Sequence, residues 1–244
     1  MNNQHLNEKK SRLSVDYFEK MHIIKNRKED EVAIMLIQFN FKNFRSFREE
    51  ATLDLSATKM TEFSERVVTI GSEKILPIAA IYGANASGKS NIYSAFEYMA
   101  EYVVDSFKYG DEEEKFEEYR PTPFLFDSTS ADAESSFEVY FTIPGDKNEK
   151  TYNYGFCVDQ EGVTEEWLNS KAKTARKYST VFYRGNSESE LDLSGLPKNS
   201  RDNIKIALEK QVLIASLGAK LKISKCKAIR DWFLTNEFAD FGDP

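Results

Sequence analysis

Histidine and cysteine are nearly absent from this chain, at two of each in 244 residues. His5 and His22 lie near the N-terminus, away from every motif discussed below, so neither imidazole catalysis nor a zinc site is expected. Cys157 and Cys226 show no metal-ligand spacing, and a pair of reduced thiols is the expected state. No apolar run approaches membrane-spanning length, and the polar N-terminus has no signal-peptide core. The expectation is a soluble, cytoplasmic protein with no membrane partner. An excess of basic residues is also missing. The formal net charge is −7, which excludes binding of nucleic acid through overall charge and leaves only local patches, so DNA stays open as a partner. No internal repeat is visible.

What the chain does have is Gly83-Ala84-Asn85-Ala86-Ser87-Gly88-Lys89-Ser90, which satisfies G-x-x-x-x-G-K-[ST]. Each residue type has a reason. Gly83 and Gly88 admit backbone conformations closed to residues with a Cβ, so successive N–H groups can turn toward phosphate oxygens. Lys89 brings a point charge to the β- and γ-phosphates, and Ser90 offers a hydroxyl to Mg²⁺. A following helix would place its N-terminal partial charge beneath the same anion. The apolar run 78–82 reads as a buried strand leading into the loop. Ile92, Ala95, Phe96, Met99 and Val103 then recur at spacings of three and four, one apolar face of a helix running to about residue 107.

Residues 1–34 form a polar extension, and Met35 opens a more ordered pattern that could itself be the start of translation. Strands are expected at 35–41, 51–55, 66–70, 124–126, 137–143, 151–158, 162–168 and 180–183. A turn is expected at 144–148. The acidic run 111–118 reads as a solvated face. Helices are expected over 201–217 and 220–235, the second with an exposed basic face. The aromatics of the β-rich region read as core; no basic residues interleave with them, which argues against a base-stacking platform.

Phe41-Lys42-Asn43-Phe44-Arg45-Ser46-Phe47, followed some 40 residues later by the glycine loop and Asn91, resembles the start of an ABC-type ATPase head of the SMC, RecF and OLD group. With Pro123-Phe124, Tyr152-Asn153-Tyr154-Gly155-Phe156 and Glu166-Trp167-Leu168, the chain is similar to bacterial AAA-domain ATP-binding proteins of the abortive-infection type, found in phage defence. The resemblance covers about residues 35–236. It implies an α/β P-loop NTPase with a mixed sheet and an antiparallel β lobe built from 36–70 and 124–183, with residues 35–244 as the N-terminal portion of a head. It implies ATP and Mg²⁺ as cofactors. Gly83, Asn85, Ala86, Ser87, Gly88, Lys89, Ser90 and Asn91 would hold the nucleotide, with Ser90 on the metal, and Arg45 and Ser46 would approach it from the first strands. It also implies dimerisation of heads around two nucleotides.

Several parts of such a head are not found. Four apolar residues followed by Asp-Glu do not occur, nor does Ser-Gly-Gly, and no histidine follows the loop. Gln211 matches the family's glutamine loop only loosely. The expectation is therefore an ATP-binding half-site, from a truncated gene or completed by a homodimer partner, a complementary C-terminal half or an effector, with weak or no hydrolysis alone. The alternatives are a RecF- or OLD-like ATPase of DNA repair or of a nuclease, and an interaction fragment that no longer binds nucleotide. A phosphotransferase is weaker still, because nothing marks an acceptor site.

Overall fold

Alternating apolar and polar side chains build the sheet. In the computed structural model, which describes residues 35–57, 64–110, 113–143, 146, 148 and 150–236, β1 (Met35–Lys42) buries Met35, Ile37, Phe39 and Phe41. The chain divides after Ala33, and everything described belongs to the unit Ile34–Pro244. β2 (Ala51–Asp54) follows, then a small hairpin of β3 (Val68–Ile70) and β4 (Glu73–Ile75), turned at Gly71 with φ 61°. Next come α1 (Lys89–Asp105), a 3₁₀ turn at Ser106–Lys108, α2 (Glu113–Glu118) and α3 (Ser128–Ala131). Four long strands follow: β5 (Ser135–Thr142), β6 (Thr151–Val158), β7 (Val163–Lys171) and β8 (Ser179–Arg184). The described chain closes with α4 (Lys198–Ala207), α5 (Ile214–Lys220) and α6 (Ser224–Leu234).

Six strands form one sheet in the order β2-β1-β5-β6-β7-β8, and every pairing is antiparallel. One face is aromatic and dry. Phe96 of α1 meets Phe39 at 5.1 Å between ring centroids, Tyr102 stacks on Phe156 at 5.2 Å, and Trp232 of α6 meets Phe141 at 4.4 Å. Each fully buried phenylalanine contributes roughly 2–3 kcal/mol to the fold. The other face carries a polar ladder across four strands. Asn40 and Asn153 both donate to Glu138, at 2.9 and 2.7 Å, and Asn169 donates to Asn153 at 3.1 Å. An antiparallel sheet tolerates this division because only one face needs cover. Gly155 is required on the polar face, since a Cβ there would lie 2.3 Å from the Trp167 ring.

Three sequence expectations are corrected. The sheet is antiparallel throughout the described residues, not mixed, and the β lobe forms the core sheet instead of packing beside one. Residues 78–82 form no strand: Ile78 is 79% exposed and Tyr82 91%. An apolar run is buried only where something covers it, and the main chain between Leu76 and Ala84 makes no hydrogen bond to the backbone of any described residue. Residues 124–126 are an extended loop, because their backbone is held by a side chain, Asn43, and not by a neighbouring strand.

The helix expected over 201–217 is two helices, broken at residues 208–213. The break is held from outside. Arg184 donates to the carbonyls of Glu209, Lys210 and Val212, and Tyr102 donates to that of Gln211. Ser106 accepts from the Leu213 amide, and Glu166 from those of Ile214 and Ala215. Glu166 is fully buried, and burial pushes its carboxyl up to about 7 while these amides, Arg184 and the Tyr154 hydroxyl pull it down.

The remaining elements follow the pattern. Helix α6 buries Cys226, Ile229, Trp232 and Phe233 and leaves Lys225 and Lys227 outside, as a solvated basic face should. Both cysteines are free and buried. The polar extension 1–34 and most of the 144–148 turn lie outside the described residues. Among the described residues no helix is long and apolar enough to cross a membrane.

Candidate functional site

The 83–90 loop leads directly into α1, with Gly88 as the residue before its first turn. Gly88 has φ 88° and Ala86 φ 61°, both left-handed. For alanine this is uncommon, and such backbone strain clusters at functional sites. Gly88 is needed for space as well, because a Cβ there would lie 3.0 Å from the Ser46 hydroxyl and 3.1 Å from the Phe47 ring. Lys89 folds back over the loop, donating to the carbonyls of Gly83 at 2.8 Å and Ala84 at 2.6 Å. No carboxylate is among the residues that line the hollow beneath it, about 330 Å³ bounded by Ser46 and by Ala86 through Asn91. Gly83 and Asn85 stand on the exposed part of the loop.

Ser46 reaches this hollow through a tight turn. Phe44 and Phe47 exchange backbone hydrogen bonds at 2.9 Å each, leaving Arg45 and Ser46 at the tip. Arg45 takes φ 49°, and its guanidinium lies 5.3 Å from the Phe44 ring centroid and donates to the Ser94 hydroxyl at 2.8 Å. Asn91 donates to Ser46 at 2.7 Å. Two residues on successive turns of one face of α1 thus hold the two residues at the tip. Residues 45–46 and 83–91, far apart in sequence, come together at one end of the helix. The part of Ser94 was missed in the sequence, although its position one turn after Ser90 puts it on the same face.

Gln211 is not at this site. Its side chain donates to the Glu161 carbonyl, and its own carbonyl is held by Tyr102. Tyr102 lies thirteen residues along α1 from Lys89, so the two ends are about 20 Å apart. A larger hollow, about 430 Å³, lies near Arg184, Lys205 and Lys210. It is a poorer candidate, because Arg184 is engaged by three carbonyls and Lys210 pairs with Glu161. Among the described residues no group of three His, Cys, Asp or Glu could hold a metal ion.

The arrangement suits an anion bearing several oxygens. It combines a free helix N-terminus, a lysine reaching across a glycine-bordered loop, an arginine at the rim and hydroxyls from Ser46, Ser87 and Ser90. Residues 78–208, more than half of the chain, match the sequence family described as "AAA domain, putative AbiEii toxin, Type IV TA system". No curated protein and no solved structure gives a significant match.

Proposed function

We propose that this chain, which belongs to that AAA-domain family, binds a nucleoside triphosphate, ATP, with Mg²⁺ at the 83–90 loop. The observation that carries the reading is the position of Lys89. Its ammonium is held by the carbonyls of Gly83 and Ala84 above the start of α1, where the β- and γ-phosphates of a cradled nucleotide would take it over. The backbone from Asn85 to Ser90 forms the cradle, and the space that a Cβ on Gly88 would fill is closed by Ser46 and Phe47. Ser90 holds Mg²⁺ by its hydroxyl, Asn91 positions Ser46, and Arg45 and Ser46 approach the nucleotide from the rim.

Binding is proposed as the function, with hydrolysis dependent on groups from elsewhere. Phosphoryl transfer requires a carboxylate to fix the metal and a group to orient water, and no carboxylate lines the hollow. The exposed apolar run 78–82 supports a partner, either a second copy or a complementary half of an ABC-like head, that covers this segment and completes the site. ATP would then act as a switch, closing the assembly through its higher affinity for one state. A role in phage defence or DNA processing rests on the family description and the resemblance to SMC, RecF and OLD heads.

The test is isothermal titration of the chain with ATP, with and without Mg²⁺. Micromolar binding that needs Mg²⁺ and is lost in Lys89→Ala supports the reading. Equal binding by wild type and Lys89→Ala overturns it, and so does the absence of binding.

A further inference from the structure

The loop between α2 and α3 leaves two neighbouring apolar side chains in solvent, Leu125 at 68% and Phe126 at 90% exposure. Single exposed apolar residues need no explanation. An adjacent pair on a loop that is firmly held is a different matter, and this loop is held at three points. The Thr122 carbonyl accepts from the Arg45 amide at 2.8 Å. The Phe124 amide donates to Asn43 Oδ1 at 3.0 Å, and Asn43 is itself buried and donates to the carbonyls of Ser130 and Ala133. Asp127 pairs with Arg48 at 3.1 Å. All three attachments fall within residues 43–48, the turn whose tip carries Arg45 and Ser46. The exposed pair is therefore built onto the same turn that closes the 83–90 hollow.

We infer that Leu125 and Phe126 form the base side of the nucleotide site and take a purine by stacking. The inference rests on the triphosphate reading above and adds to it the chemical class of the base. Phe126 lies 5.6 Å from Phe124, tilted by 57°, which supports the ring from one side without covering it. Leu125 and Phe126 offer no polar atom beyond the backbone, so they recognise the face of a base and not its edge. The cation that an aromatic platform needs comes through space: Arg45, 80 residues earlier, is bonded to this loop through its amide and reaches the first turns of α1 through its guanidinium. Its side chain is placed to bridge base and phosphates.

The experiment compares Mg·ATP with Mg·tripolyphosphate, which has the phosphates and no base, by titration calorimetry. Wild type is expected to bind ATP more tightly than tripolyphosphate. Phe126→Ala should lower ATP affinity about tenfold and leave tripolyphosphate affinity unchanged, while Phe126→Tyr retains both. Lys89→Ala should lose both ligands. GTP should bind within a few-fold of ATP, and a pyrimidine triphosphate more weakly. Unchanged ATP affinity in Phe126→Ala overturns the base site and leaves the phosphate site standing. The same holds if wild type binds ATP and tripolyphosphate equally, or if Phe126→Ala changes only the oligomeric state. If wild type binds neither ligand, the triphosphate reading fails and the base site with it.

Discussion

Asn91 donates a hydrogen bond to the Ser46 hydroxyl at 2.7 Å and thereby fixes the first strand's turn on the first turn of α1. Because Ser46 also lines the hollow of the glycine loop, this contact makes the β sheet part of the candidate site. An otherwise ordinary surface serine becomes a wall of the hollow.

Ser46→Ala removes that contact at an exposed position. Its expected cost in stability is about 1 kcal/mol or less. ATP affinity should fall several-fold, because the rim residues lose their anchor on the helix. Thermal unfolding and titration of the same variant check both. A fall in melting temperature with unchanged affinity would show that the turn is only structural.

Gly88→Ala should be more severe. The left-handed backbone costs an alanine about 1–2 kcal/mol, and its Cβ would press on Ser46 and on the Phe47 ring. The expected outcome is a lower melting temperature and loss of Mg·ATP binding. Wild-type binding by a folded Gly88→Ala chain would show that the loop does not cradle phosphate in this conformation.

Glu166 predicts a pH dependence. Its carboxyl is raised from 4.5 to about 7 in the fold, chiefly by burial, so the folded state holds a proton that the unfolded state gives up. The stability linked to that proton is fully present below about 4.5 and is lost as pH rises through about 7, amounting to at most about 3 kcal/mol. Thermal unfolding between pH 4.5 and 8 should show the decline, and Glu166→Gln should flatten it even if the variant is less stable overall. An equal slope in both proteins would assign the effect elsewhere.

Ile78→Ser with Tyr82→Ser tests the exposed run. Neither side chain is covered, so stability should change by no more than about 0.5 kcal/mol. Soluble yield should rise, and any assembly with a second copy or a complementary half, read by light scattering, should weaken. A large loss of melting temperature would mean that the run is covered after all.

Local physics made much of this legible in advance. The glycine loop could be read because each of its positions calls for a particular residue type, and the structure places it at the start of α1. Strands β5 and β6 could be read from alternation and aromatic content, and α1 and α6 from apolar spacing. The errors share one cause. The segment 201–217 has helical spacing throughout, yet Arg184, Tyr102, Ser106 and Glu166 take its backbone groups at 209–215, and no local pattern records that. The run 78–82 is as apolar as a buried strand, but burial needs a cover that its own residues cannot supply.

Sequence alone determined which residues can turn a loop around an anion, which segments alternate or spiral, and that His and Cys carry no chemistry here. Tertiary structure decided what stands beside that loop. It brought Arg45 and Ser46 to α1, put Gln211 at the helix's far end, and hung Phe126 on the same turn as Arg45. The physical reason is range: backbone preference and periodicity act within a few residues, whereas a binding site is assembled from side chains that only packing brings together.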